Sequence, residues 1–241
     1  MTNNYSNLDI GARLKKLRDE TNGRIVFTTS LGIEDQLITH HIATQKLDIE
    51  FVTLDTGRLF DESHNLWQEA EDNYGITIKG FYPDPEAISK WVRANGTNGF
   101  KNSPDARKSC CAIRKIEPLN RALNGAVVWI TGLRADASDT RAQIEIFQDD
   151  ARGLKKFNPL YDYSRDKVVT EVKALNIPYN PLHDKGFLSI GCAPCTRAIV
   201  AGEDERAGRW WWESEIAGKK ECGLHVDDNG QLSRLTKEIQ G

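Results

Sequence analysis

Five cysteines carry the strongest chemical signal in this sequence of 241 residues. Four of them form two tight pairs: Cys110-Cys111 in RKSCCAIRKIEPLNRAL, and Cys192 with Cys195 in GCAPCTRAIVAGEDERAGRWWWE. Thiolate is the metal-binding form of cysteine, and four thiolates are enough for one metal centre. Zinc favours pairs spaced C-x2–4-C, which adjacent cysteines fit poorly. An iron-sulfur cluster accepts neighbours because each thiolate can bind a different iron. The spacing therefore ranks a cluster first and zinc second. A thioredoxin-like dithiol at Cys192 and Cys195 ranks third, with buried structural cysteine as the plain alternative for Cys110 and Cys111. The fifth cysteine, Cys222, stands alone in GKKECGLH. Lys219, Lys220 and His225 would lower its thiol pKa and Glu221 would raise it, which makes Cys222 a candidate nucleophile.

Basic residues flank both pairs: Arg107, Lys108, Arg114 and Lys115 near the first, Arg197, Arg206 and Arg209 near the second. A centre joining the two segments would bring these charges together, and arginine suits a bidentate grip on sulfate or phosphate. Lys108 and Arg197, taken singly, read better as solvated surface. The run Trp210 to Trp212 reads as core or interface rather than a binding cage. The rest of the composition excludes other classes. A hydrophobic fraction of 39% and a charged fraction of 28% describe a folded domain and not a disordered chain. A net charge of −3 and a pI near 6.0 provide no global positive field, so nucleic acid is not an expected partner. No window approaches the roughly 18 apolar residues of a membrane span, and the N-terminal residues lack a signal-peptide pattern, so the expected compartment is the cytoplasm.

Positioning these groups requires an ordered scaffold, and the hydrophobic pattern supplies one. Residues 8–20 have helical spacing, RIVFTT (24–29) reads as a buried strand, 34–45 as a helix and IEFVTLD (49–55) as a second strand. A helix through LFDESHNLWQEAEDNYG, a strand ITIKGFY, a helix DPEAISKWVRA and a strand AVVWITG (126–132) continue the alternation. The stretch 1–135 thus predicts a parallel, doubly wound sheet. Beyond Ser138 the pattern weakens: IEIF and LKKFNPL are candidate strands, SRDKVVTEVKALN is a candidate helix, and Pro178 and Pro181 break the segment after it. The C-terminal stretch 226–241 is polar, with a turn signal at Asn229-Gly230, and predicts a weakly held tail.

Open α/β sheets bind ligands at the carboxyl ends of their strands. Three loops at such ends mix glycine with hydroxyl and charged groups: TTSLGIED (28–35), LDTGR (54–58) and TGLRADAS (131–138). Each alone is ordinary loop chemistry; together they favour a nucleotide site, with Gly32, Gly57 and Gly132 allowing close backbone approach and Ser30, Glu34, Asp35, Thr56 and Arg134 as polar handles. No Walker A loop and no dinucleotide fingerprint is present in them.

CCAIRKIEPL, GCAPCTRAIVAGEDERAGRWWWE and KKECGLH resemble the assimilatory adenylyl-sulfate reductases, and TTSLGIED, LDTGRLF and TGLRADAS follow in that family's order, across roughly residues 24–225. The related phosphoadenylyl-sulfate reductases share ECGLH but lack the two cysteine pairs. The resemblance implies an α/β, adenine nucleotide α-hydrolase-like fold with a doubly wound, mostly parallel sheet, in a single domain (1–217) followed by a mobile catalytic segment (218–241). It implies reduction of adenylyl sulfate to sulfite and AMP in sulfate assimilation and cysteine biosynthesis, with reduced thioredoxin as donor and Cys222 as catalytic residue. A [4Fe-4S] cluster on Cys110, Cys111, Cys192 and Cys195 is implied as an electrostatic or structural group. Carried over position by position, Leu54, Thr56 and Gly132 belong to the nucleotide pocket, Glu34 and Asp35 stand at its edge, and Lys115, Arg206 and Arg209 hold the phosphosulfate. Two residues depart from some relatives: Leu31 stands in place of serine, and Arg107 in place of histidine. Phosphoadenylyl sulfate as substrate, alone or alongside adenylyl sulfate, is the enzymatic alternative, and an iron-sulfur sensor or metal-dependent nucleic-acid binder the non-enzymatic one. A homo-oligomer is compatible with either.

Overall fold

The computed structural model describes residues 5–138 and 141–213. Six strands, β1 Arg24–Thr29, β2 Glu50–Leu54, β3 Ile78–Phe81, β4 Ala126–Ile130, β5 Phe147–Asp149 and β6 Lys155–Phe157, form one sheet in the order β3-β2-β1-β4-β6-β5. All neighbours pair in parallel except β5, which runs antiparallel to β6 at the edge. The helices are α1 Ile10–Glu20, α2 Ile33–Thr44, α3 Asp61–Tyr74, α4 Pro85–Asn95, α5 Pro104–Cys111, α6 Glu117–Leu123 and α7 Arg165–Ala174.

Period-two alternation in the strands divides the core into two. Ile25, Phe27, Phe51, Val128, Ile130 and Phe157 point to the side packed by buried residues of α1, α2, α3 and α7. Val26, Val52 and Trp129 point to the other, against Leu119, Ala122 and Leu123 of α6. Both faces of the sheet are covered, the condition under which a parallel sheet is stable. Local sequence sets the helix starts. Asp9, Asp84, Ser103 and Ser164 accept hydrogen bonds from backbone N–H groups three positions on, and proline opens α4 and α5.

The α/β reading of residues 1–135 agrees with the structure, with boundaries shifted only slightly. Two features differ from the pattern reading. The candidate strands beyond Ser138 shorten to three residues each, and only Phe147 of IEIF joins one; the Asp150–Arg152 contact closes a tight turn between them. A helical run that the pattern reading did not assign extends from Pro104 to Leu123: α5 and α6 are joined by a π turn, Ala112–Ile116. Its charged and cysteine-rich first half has no apolar stripe because Arg107, Cys110 and Cys111 line a pocket and do not join the apolar core. Such π turns are often functional, since the wider ring redirects side chains.

Candidate functional site

Strand order reverses between β1 and β4, and the loops leaving these two strands open a crevice at their carboxyl ends, the expected ligand position in such sheets. A cavity of about 200 Å³ lies there. Its lining includes Glu34, Asp35, Leu54, Thr56, Lys115, Gly132, Arg206 and Arg209, so positions scattered along most of the sequence share one space. The close approach of the β1 and β4 loops depends on Gly132, where a Cβ would collide with the Asp35 carboxylate. On the expectation that the crevice is a nucleotide site, Gly132→Ala should weaken AMP binding by at least about tenfold in calorimetric titration, because the loop must retreat from the crevice.

Asp35 is buried beneath that loop and accepts from the backbone N–H and the hydroxyl of Ser30, each at 2.6 Å. Burial, opposed by the Ser30 bonds and reinforced by Glu34, pushes its carboxyl from 3.8 up to about 6. A carboxyl whose pKa rises on folding binds its proton more tightly in the native state. Its contribution is thus most favourable below 3.8 and is lost as pH rises through about 6. Asp35→Asn keeps an acceptor for Ser30 and removes the buried charge. The variant should melt about 5 °C above the parent at pH 8, with the gap closing toward about pH 4.5; a gap independent of pH would rule out charge burial as its origin.

Leu31 takes a left-handed backbone, φ 61°, and its side chain is buried in the core cluster that holds Ile33 and Leu37. The hydroxyl facing Asp35 comes instead from Ser30. Glu34 does not present a free carboxylate: it pairs with Arg134 at 2.9 Å, and Arg134 also grips both oxygens of Glu205 at 2.8 and 2.6 Å and contacts Asp136. This buried guanidinium ties the α2 start, the loop after β4 and the segment carrying Arg206 into one wall. His183, Arg141 and Glu205 also line the cavity, and the sequence reading did not select them. His183 accepts from the Ile33 N–H at 3.2 Å through Nε2, and its Nδ1 lies 2.8 Å from the Phe187 carbonyl. That pairing fits a neutral ring with the proton on Nδ1, and burial lowers its pKa. Nothing local in NPLHDKG marks this role.

A second, smaller pocket shares Lys115 with the first and is lined by Cys110, Cys111, Cys192 and Cys195 together with Arg58, Arg107 and Arg114. The two cysteine pairs, far apart in sequence, thus meet. Among the described residues, no three Cys, His, Asp or Glu side chains are grouped as ligands of a single ion. Thiols arranged around a pocket, with cations about them, suit a polynuclear anionic group better than zinc. The donor set therefore fits a four-cysteine cluster. Thr56 joins the two pockets: its hydroxyl lies 3.2 Å from Cys192 Sγ, and its carbonyl accepts from Arg114 at 2.6 Å. Burial pushes the Cys192 thiol up, but Lys115, the Thr56 bond, Arg209 and Arg114 outweigh it and leave the thiol below its ordinary value. Burial and the neighbouring Cys192 push Cys195 up to about 11, and burial raises Cys110 despite Arg114. Cys222, Lys219, Lys220, His225 and the whole 218–241 segment lie outside the described residues.

Residues 24–198 match the model of the phosphoadenosine phosphosulfate reductase domain. The chain belongs to that family. Within it, the chain is 51% identical over 94% of its length to an adenosine 5′-phosphosulfate reductase of Sinorhizobium fredii (strain USDA 257), covering 89% of that relative. It is 52% identical over 83% of its length to the adenosine 5′-phosphosulfate reductase of Allochromatium vinosum, covering 78% of it. These identities place it with the adenosine 5′-phosphosulfate reductases, a group of oxidoreductases. A phosphoadenylyl-sulfate reductase from Candida auris, solved as a phosphate complex, superposes with a TM-score of 0.67 at 22% identity, over 80% of this chain and 91% of that one. A mutant form of Candida glabrata FMN adenylyltransferase superposes with a TM-score of 0.52 at 15% identity, over 90% and 80% of the two chains. The fold is adenine nucleotide α-hydrolase-like, as the resemblance implied. No helix among the described residues is long and apolar enough to cross a membrane.

Proposed function

We propose that this adenosine 5′-phosphosulfate reductase family member reduces adenylyl sulfate to sulfite and AMP, with thioredoxin as electron donor. The observation that carries the reading is the position of Lys115, which lines the crevice and the four-cysteine pocket at once. A cation so placed belongs beside a nucleotide anion and a cluster together. Arg206 and Arg209 face the same crevice, and both suit oxyanion recognition.

The nucleotide would enter at the carboxyl ends of β1 and β4, with its base and ribose against Leu54, Gly132 and the 28–35 loop. Lys115, Arg206 and Arg209 would hold the phosphosulfate and neutralise charge that grows on the bridging oxygen as the bond to sulfur breaks. The Cys222 thiolate attacks the sulfate sulfur; a sulfur–sulfur bond forms, the sulfur–oxygen bond breaks, and AMP leaves with the electron pair. A thioredoxin thiolate then attacks Cys222 Sγ in the resulting S-sulfocysteine, and sulfite departs. The second thioredoxin thiol resolves the mixed disulfide, so one dithiol is oxidised for each sulfur reduced. A [4Fe-4S] cluster held by Cys110, Cys111, Cys192 and Cys195 would supply fixed electrostatics beside the phosphosulfate and cross-link the two segments, without acting as a stoichiometric electron source.

The test is thioredoxin-dependent sulfite release by anaerobically purified protein, supplied in parallel with adenylyl sulfate and phosphoadenylyl sulfate. Release from adenylyl sulfate alone is expected. Comparable rates from both would broaden the specificity, and no release from iron-loaded protein would overturn the reading in favour of a sensor.

A further inference from the structure

Arg107 lines the cysteine pocket and not the crevice, and it is only 3% exposed. Its Nε donates to Glu213 Oε1 at 2.5 Å, and that carboxylate is buried as well. The Arg107 guanidinium carbon stands 4.4 Å from the centre of the Trp210 ring, and the Arg209 guanidinium carbon stands 4.8 Å from the same centre. Two cations against one indole repel each other; the ring attracts both, and Glu213 compensates one. Trp210 is itself fixed. It is 1% exposed, its backbone N–H donates to the Cys195 carbonyl at 3.1 Å, and it holds φ at 46°, a conformation that a bulky residue keeps only when its surroundings impose it.

Arg209 has little else to define its plane. Its Nη1 reaches Ser189 Oγ at 3.4 Å and the Ile190 carbonyl at 3.3 Å, both long for hydrogen bonds. Its Nε is buried with no hydrogen-bond partner among the described residues. Gly191 leaves the space it occupies, since a Cβ there would collide with the guanidinium. Contact with the Trp210 ring is thus the principal one left to orient Arg209, and Arg107, on α5 and paired with Glu213, packs against the same ring.

We propose that Arg107 is a positioning residue, which through Trp210 holds the Arg209 guanidinium in the orientation that grips the oxyanion of the substrate. This rests on the reading of the crevice as the adenylyl-sulfate site.

Equilibrium binding of adenylyl sulfate to iron-loaded Cys222→Ser protein, which cannot turn the ligand over under that reading, separates the outcomes. Arg209→Lys removes the planar fork and should weaken binding about tenfold. Arg107→Lys keeps the charge beside Glu213 but not the guanidinium contact with the Trp210 ring, and should weaken it about fivefold. Because both act through one group, the double variant should bind no more weakly than Arg209→Lys alone. Iron content should stay at the parent level throughout. Glu213→Gln, which releases Arg107 from its ion pair, should show the same non-additivity with Arg209→Lys and carries the test if Arg107→Lys does not fold. Losses that multiply to about fiftyfold, or parent-like binding by Arg107→Lys, would overturn the proposal. Absence of adenylyl-sulfate binding by the Cys222→Ser parent itself would overturn the assignment of the crevice and this inference with it.

Discussion

Cys222→Ser should lower thioredoxin-dependent sulfite release from adenylyl sulfate by on the order of 10³-fold or more, while AMP affinity and iron content stay at the parent level. The size follows from the role: a serine hydroxyl at neutral pH is a far weaker nucleophile than a thiolate, and nothing else in the proposed route accepts the sulfonate group. The selectivity follows from the structure. The residues proposed to hold the nucleotide and the cluster line the crevice and the cysteine pocket, and all of them are unchanged in the variant. Mass spectrometry of the parent, treated with adenylyl sulfate without thioredoxin, should find the added SO₃ on Cys222. Sulfite release at an appreciable fraction of the parent rate by the serine variant would remove Cys222 from the mechanism.

Lys115→Ala carries the second largest expected effect, a fall of about 10²–10³-fold in kcat/KM. Lys115 is the cation that lines both pockets, and it is first among the charges that draw the Cys192 thiol down. The reaction builds charge on the oxygen bridging phosphate and sulfate, so an interaction that strengthens along that path should appear mainly in kcat. Steady-state kinetics at saturating and limiting adenylyl sulfate distinguish the cases. A change confined to KM would show that Lys115 contributes equally to ground-state and transition-state binding, and would shift the electrostatic role to Arg206 and Arg209.

The α/β pattern of residues 1–135 was legible because the apolar run of RIVFTT and the helical spacing in 34–45 are properties of neighbouring residues. The two cysteine pairs were legible as candidate ligands for the same reason, since CC and C-x-x-C are compact words. Legibility failed where function displaced periodicity. The helical run from Pro104 to Leu123 escaped the pattern reading because its first half presents cysteine and arginine to a pocket and its middle widens into a π turn. His183 escaped because its significance is a partner distant in sequence, the Ile33 N–H. Glu34 was selected, but its link through Arg134 to Glu205 could not be read from the loop TTSLGIED.

The sequence by itself determined the class of fold and singled out the thiols as the candidate reactive groups, because thiol type, thiol spacing and hydrophobic period are local properties that survive without coordinates. Tertiary structure alone decided that Cys110 and Cys111 face Cys192 and Cys195, that Lys115 stands between their pocket and the crevice, and that Arg209 and Arg107 share the Trp210 indole. Those relations join residues widely separated along the chain. Distance in space between such residues is set by which strands pair and how the helices pack across the sheet, and no short stretch of sequence contains that information.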